Sequence, residues 1–138
     1  MSQVEKVLYT GKTHTTGGRD GTSRSSDGRL DVRLSTPGAP GTGTNPEQLL
    51  AAAWSACFIS AIKHEAERAK VSLPGSVAIN AEVDLSTAGG GYVLRVRINV
   101  SLPGVAGEAA RALVDAAQQA CPFCKATRGN VDVAIHLL

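Results

Sequence analysis

Three cysteines, Cys57, Cys121 and Cys124, are the side chains of this sequence with the clearest capacity for chemistry. A thiol reacts as its thiolate, so each must be asked what would ionise it. Leu50, Trp54, Cys57 and Ala61 recur at spacings of four, three and four, which places them on one face of a helix. A small buried hydrophobe explains Cys57 there as well as a nucleophile does. As a nucleophile it could not rely on its own helix N-terminus. It stands twelve residues beyond Asn45, about 18 Å along a helix, and the dipole effect fades within the first turn. A cation would have to come from elsewhere. Arg19, in the Gly-flanked GGRDG segment, is a candidate on chemical grounds, although a solvated loop arginine is the plainer reading. Glu47 suits the first turn of the helix by its charge. Its alternative use is to hold an arginine, although a straight helix puts it about 15 Å from Cys57.

Cys121 and Cys124 form CPFC, which admits three readings. A zinc half-site lacks a second CxxC or a suitably spaced histidine pair. A glutaredoxin-like dithiol would follow an N-terminal strand, whereas this motif follows a helix near the C-terminus. In the third reading, Cys121 partners a distant cysteine and Cys124 is incidental. His14, His64 and His136 are scattered and are expected to be structural or solvated. No carboxylate pair for glycosidase chemistry and no phosphate-cradling glycine loop is recognisable.

The elements that would position these groups can be read from periodicity. VLYTGKTHTT (residues 7–16) reads as a strand and GGRDG as a turn. After the Asp27-Gly28 turn, Leu30, Val32 and Leu34 alternate with polar residues as a half-buried strand. TPGAPGTGT (36–44) is a loop. Asn45 suits an N-cap and Pro46 the first helical position. The helix then runs to Lys70 without internal Gly or Pro, apolar on nearly every face in its first half and charged from Lys63, so it is expected to be central. Pro74-Gly75 turns the chain. Alternation at Val77–Leu85 and Tyr92–Val100, joined by Ala88-Gly89-Gly90-Gly91, predicts a hairpin. Ala109, Leu113, Ala116 and Ala120 predict a helical face, and Val131, Val133, Ile135 and Leu137 a final strand. The order β-β-α-β-β-α-β is an α+β pattern, and 138 residues suit one domain.

Fourteen basic and twelve acidic residues give a net charge of +2, which argues for no charged partner. One Trp, two Tyr, two Phe and no Lys/Arg-rich run imply no platform for nucleic acid. MSQVEKVLYT lacks the basic and apolar regions of a secretory signal. The apolar stretch Leu49–Ile62 is too short to span a membrane. A cytoplasmic protein is expected, in which three cysteines suggest packing, metal binding or redox chemistry over a disulfide scaffold.

Taken in order, LYT near the start, TGGRDG (16–21), GTNPEQLLAAAWSACF (43–58), VSLPG (100–104) and CPFCKATRGNVDV (121–133) resemble the organic hydroperoxide resistance proteins of the Ohr/OsmC family. The resemblance runs through almost the whole chain, and the Arg19 loop and CPF-x-KATRGN point to the hydroperoxide resistance branch. It implies an OsmC-like fold, with antiparallel-rich sheets wrapped around central helices in an intertwined homodimer whose active sites lie near the subunit interface. Cys57 then resembles the peroxidatic cysteine, Cys121 the resolving one, Arg19 the activating arginine and Glu47 the carboxylate that orients it. The implied electron donor is the dihydrolipoyl group of a lipoylated protein, with no bound cofactor or metal. Three departures stand out: Cys124 where the family usually has serine, Trp54 in place of a commoner tyrosine, and a slightly short loop at 36–44.

The implied reaction begins with attack of the Cys57 thiolate on the distal peroxide oxygen, which releases an alcohol and leaves a sulfenic acid. Arg19 would favour the thiolate and hydrogen-bond the peroxide, held by Glu47. Cys121 would condense with the sulfenic acid to a disulfide that a dithiol reopens. If Trp54, Phe58 and Phe123 line the pocket, fatty or aryl hydroperoxides should outcompete hydrogen peroxide. The length of the helix leaves open whether Arg19 and Glu47 act within one chain or across the dimer. A non-catalytic dimer that binds a lipid or other small molecule, and a reductase using Cys121 and Cys124, are the alternatives.

Overall fold

Short polar strands build the N-terminal part of the chain. The computed structural model describes residues 5–73 and 75–138. These form two compact units, one ending at Pro46 and one spanning Glu47–Leu138. In the first, β1 (Thr13–Thr16), β2 (Thr22–Ser25) and β3 (Asp31–Arg33) make an antiparallel sheet in that order. The Asp27-Gly28 turn is closed by the Asp27 carboxylate, which accepts from Ser25 Oγ at 2.6 Å and from the Arg29 backbone N–H at 3.0 Å. Gly28 there has φ 76°, a conformation that favours glycine.

Three details differ from the expected pattern. The strand read from VLYTGKTHTT begins only at Thr13, because its partner β2 is used up where Thr13 pairs with Ser25 and the chain turns away. Val7, Leu8 and Tyr9 precede the ladder and are exposed. TSRS, polar in sequence, is the central strand β2, since backbone pairing to both sides outweighs its weak strand propensity. The strand read through Leu34 shortens to β3, and Leu34 instead forms an isolated parallel bridge to Thr44.

In the second unit, α1 (Pro46–Ala69) buries Trp54, Phe58, Ile62 and Ala66 along one stripe. The hairpin β4 (Ala78–Ala88) and β5 (Gly91–Ser101) is joined by Gly89 and Gly90, both at positive φ, as a tight two-residue turn requires. The Pro74 half of the expected Pro74-Gly75 turn lies outside the described residues. The chain crosses through α2 (Gly107–Ala120) and α3 (Pro122–Thr127) and returns as β6 (Asp132–Leu137), parallel to β5. Val96, Ile98 and Val100 turn one face of this sheet to the core, while Arg97 on the other face forks onto Asp84 at 2.7 Å and onto Glu82 at 3.0 Å. The buried face of α2 is Ala110, Leu113, Val114 and Ala117. This face is rotated from the expected one: Ala120 is exposed and Ala109 and Ala116 are half-buried, because Val114 fills the core where alanine alone would leave space.

Candidate active site

The three cysteines meet because α2 is broken in the right place. Pro122 disfavours a helical conformation at the residue before it, and suits the first position of a new helix. Cys121 accordingly ends α2 and caps α3 with extended backbone angles, φ −62° and ψ 124°. Its N–H still donates to Ala117 O at 2.8 Å, and its carbonyl accepts from Lys125 N at 3.0 Å. The short α3 is held by Thr127 Oγ1, which donates to Phe123 O at 2.8 Å, and by Arg128, whose guanidinium donates to Gln118 O on α2 at 2.9 Å. The break points Cys121 and Cys124 into the same core cluster as Trp54 and Phe58, with Cys57 packed against it. Trp54 also stacks on Phe123, with centroids 5.8 Å apart at 26°.

All three thiols are free. Cys57 is half-buried, Cys121 is 0% exposed and Cys124 5%. The Cys57 thiol is pushed above its ordinary value, first by burial and then by the charge and hydrogen bonding of Cys121 beside it, while the Phe123 backbone N–H pulls the other way. Burial pushes Cys124 up to about 11; Cys121 adds to this, and the Trp54 N–H and the Arg128 charge oppose it. The Trp54 Nε1–H thus acts on the Cys124 sulfur electrostatically, but the geometry is not that of a formed hydrogen bond, and the buried donor remains unsatisfied. Cys124 also borders a cleft of about 150 Å³ lined by Gln118, Thr127, Arg128, Gly129, Val131 and Val133.

Cys57 and Cys121, 64 positions apart in sequence, are therefore brought to one core cluster from α1 and from the α2–α3 break. Glu47 lies in the first turn of α1, half-buried. Arg19 belongs to the N-terminal unit, in a 3-10 turn over Gly18–Asp20. That turn is anchored on both sides. Asp20 Oδ1 accepts from Thr36 N and Oγ1 at 3.1 and 2.9 Å, and the Leu34 N–H donates to Gly21 O at 2.8 Å. Gly17 enters it at φ 75°, and a side chain at Gly21 would land on the Thr16 carbonyl. Trp54 and Phe58 are buried in the core; Phe123 is half-buried. His14, His64 and His136 are exposed. Among the described residues there is no group of three or more His, Cys, Asp or Glu that could hold a metal. Arg128 and Gln118 are not singled out by the sequence; the one signal is Arg128 beside Gly129, a helix-ending pair.

The OsmC-like protein family matches residues 36–136. The chain belongs to that family. An organic hydroperoxide resistance protein of Xanthomonas axonopodis pv. citri is 48% identical, with 99% of each chain covered. The crystal structure of the organic hydroperoxide resistance protein OhrB of Bacillus subtilis superposes with a TM-score of 0.90 at 40% identity, covering 96% of this chain and 100% of that one. A Legionella pneumophila organic hydroperoxide resistance protein gives 0.89 at 42%, covering 96% and 98%. Within the OsmC-like family the chain thus sides with the hydroperoxide resistance branch, and the α+β OsmC-like fold expected from its motifs is the fold found.

Proposed function

We propose that this protein is a thiol peroxidase that reduces organic hydroperoxides to alcohols in the response to oxidative stress. The observation that carries the reading is the packing of the free Cys57 against the buried cluster that holds the free Cys121, placed there by a proline break between two helices. Cys57 attacks the distal peroxide oxygen and becomes a sulfenic acid. Cys121 then displaces water from it to form the disulfide, ahead of over-oxidation. The surroundings of Cys57 raise its pKa on balance, and a nucleophile needs the opposite. The family resemblance supplies the remedy in Arg19, oriented by Glu47, within one chain or across a dimer. An arginine beside a thiol lowers its pKa and stabilises charge on the departing oxygen.

The same reading makes the protein a cytoplasmic homodimer that takes electrons from the dihydrolipoyl group of a lipoylated protein and binds no cofactor or metal. Supporting the dimer, Ala52, Ala53 and Ala56 leave an apolar strip of α1 exposed, and Leu8, Tyr9 and Tyr92 are at least 77% exposed. No helix among the described residues is long and apolar enough to cross a membrane. The apolar surroundings of Cys57, among them Trp54, Phe58 and Phe123, favour fatty or aryl hydroperoxides over hydrogen peroxide.

The test is turnover of cumene hydroperoxide with dihydrolipoamide, followed by peptide mapping of the oxidised protein. Consumption that disappears in Cys57→Ser, with a Cys57–Cys121 disulfide in the wild type, is expected. Undiminished consumption by Cys57→Ser would sink the proposal, and equal efficiency for hydrogen peroxide would remove the assigned substrate class.

A further inference from the structure

We propose that Cys124 is a third redox residue, which takes the disulfide over from Cys57 and presents it to the reductant at the cleft beside Arg128. The inference rests on the peroxidase reading and concerns the fate of the first disulfide once it has formed.

Three observations converge on it. Cys121 and Cys124 lie in one buried core cluster and Cys57 packs against it, and the Cys121 thiol acts on the ionisation of both others. It therefore sits between two possible partners. Cys121 caps α3 and Cys124 is the third residue within it. An N-cap side chain and the side chain three positions on face one another at a helix start. Residues three apart on a helix have Cβ atoms about 5–6 Å apart, and a disulfide brings them to roughly 3.5–4.5 Å, so closure draws the N-cap inward by about 1–2 Å. Finally, Cys121 is 0% exposed, whereas Cys124 borders the cleft formed by Gln118, Thr127, Arg128 and Gly129. A dithiol that cannot reach the sulfur of Cys121 has a route to that of Cys124.

The exchange is balanced within the chain. The Cys124 thiolate attacks the sulfur of Cys121, a Cys121–Cys124 bond forms and the Cys57–Cys121 bond breaks. Cys57 leaves as the thiolate and takes up the proton that Cys124 gave up, with no net change in oxidation state. A small dithiol reductant then attacks Cys124, Cys121 leaves, and the second thiol of the reductant closes onto the first, releasing Cys124. Cys57 is restored before the reductant arrives, so a second hydroperoxide can be reduced while the first oxidation is stored. Because burial holds the Cys124 thiol high, the exchange accelerates about tenfold per pH unit between pH 7 and 10 as its thiolate fraction rises.

The full-length protein is reduced, freed of reductant and titrated with cumene hydroperoxide in the presence of dimedone, with acid quenching, alkylation and peptide mapping over time at pH 7 and 9. The wild type is expected to show Cys57–Cys121 first. A Cys121–Cys124 disulfide with Cys57 alkylatable or dimedone-labelled in the same chain should come next, with about two equivalents consumed per chain. Cys124→Ser is expected to stop at Cys57–Cys121 after about one equivalent; Cys124→Ala serves if the serine variant does not fold. A wild type that stops at Cys57–Cys121 with Cys124 free at both pH values would overturn the relay and leave the peroxidase reading intact. Hydroperoxide left unconsumed with all three thiols still alkylatable would overturn both.

Discussion

Replacing Cys124 by alanine should change how the stability of the protein depends on pH. Burial lifts this thiol from 9.0 to about 11 in the folded chain. In the unfolded chain it ionises at its ordinary value. Between these two values the unfolded state loses a proton that the folded state keeps, so stability falls as pH rises. The contribution is fully present below pH 9 and is lost through pH 11. A displacement of this size corresponds to about 1 kcal/mol lost by pH 10 and about 2 kcal/mol by pH 11. Against this, alanine removes one heavy atom from a packed site, a loss of about 1 kcal/mol that is independent of pH. The wild type should therefore be the more stable protein at pH 7, equal to Cys124→Ala near pH 10 and the less stable at pH 11. Urea unfolding of both proteins from pH 7 to 11, with a phosphine reductant to keep the thiols free, measures the gap directly. Lysine and tyrosine titrations are common to both proteins and cancel. A gap that stays constant over that range would show that Cys124 is not held protonated by its surroundings.

Phe58→Ala empties a fully buried aromatic site on α1 and should cost about 3–5 kcal/mol in the same urea assay. Trp54→Phe preserves an aromatic ring against Phe123 but removes the buried N–H that favours the Cys124 thiolate, so the pH profile of Cys124 alkylation should move upward. Asp84 is held below the usual carboxylate range by its hydrogen bonds from Arg97. In Arg97→Gln its NMR titration should move back up; its contribution to stability is present above the ordinary value and lost as pH falls through the lowered one. Gly21→Ala puts a methyl group onto the Thr16 carbonyl oxygen beside the Arg19 turn and should lower the melting temperature, by more than about 1 kcal/mol in stability.

Much of the second unit is legible because its signals are local and repeated. The long helix announces itself by Asn45-Pro46 and by 24 residues without an internal Gly or Pro, and it occupies Pro46–Ala69. The hairpin follows from alternation about a glycine turn, and β4 and β5 pair along their whole length. The first unit is less legible. The strand of β2 is Thr, Ser, Arg and Ser, with no apolar alternation to mark it, and its state is set by backbone hydrogen bonds to two neighbours distant in sequence. The face of α2 departs from expectation for a related reason, since a helix rich in alanine has several faces that look alike until a partner surface selects one.

The types of the reactive groups and the order of the motifs are determined by the sequence alone, and these suffice for the family and the branch. The break between Cys121 and Pro122 is also readable in outline, because proline acts on its immediate neighbour. Only the tertiary structure decides which thiols meet. Cys57 and Cys121 are brought together by packing between helices, which no local pattern encodes. Cys124 is ambiguous in the sequence, incidental in one reading and a partner of Cys121 in another. Its nearness to Cys121 is local to α3, but its place at a cleft depends on how α3 packs against α2, through Arg128 and the Gln118 carbonyl.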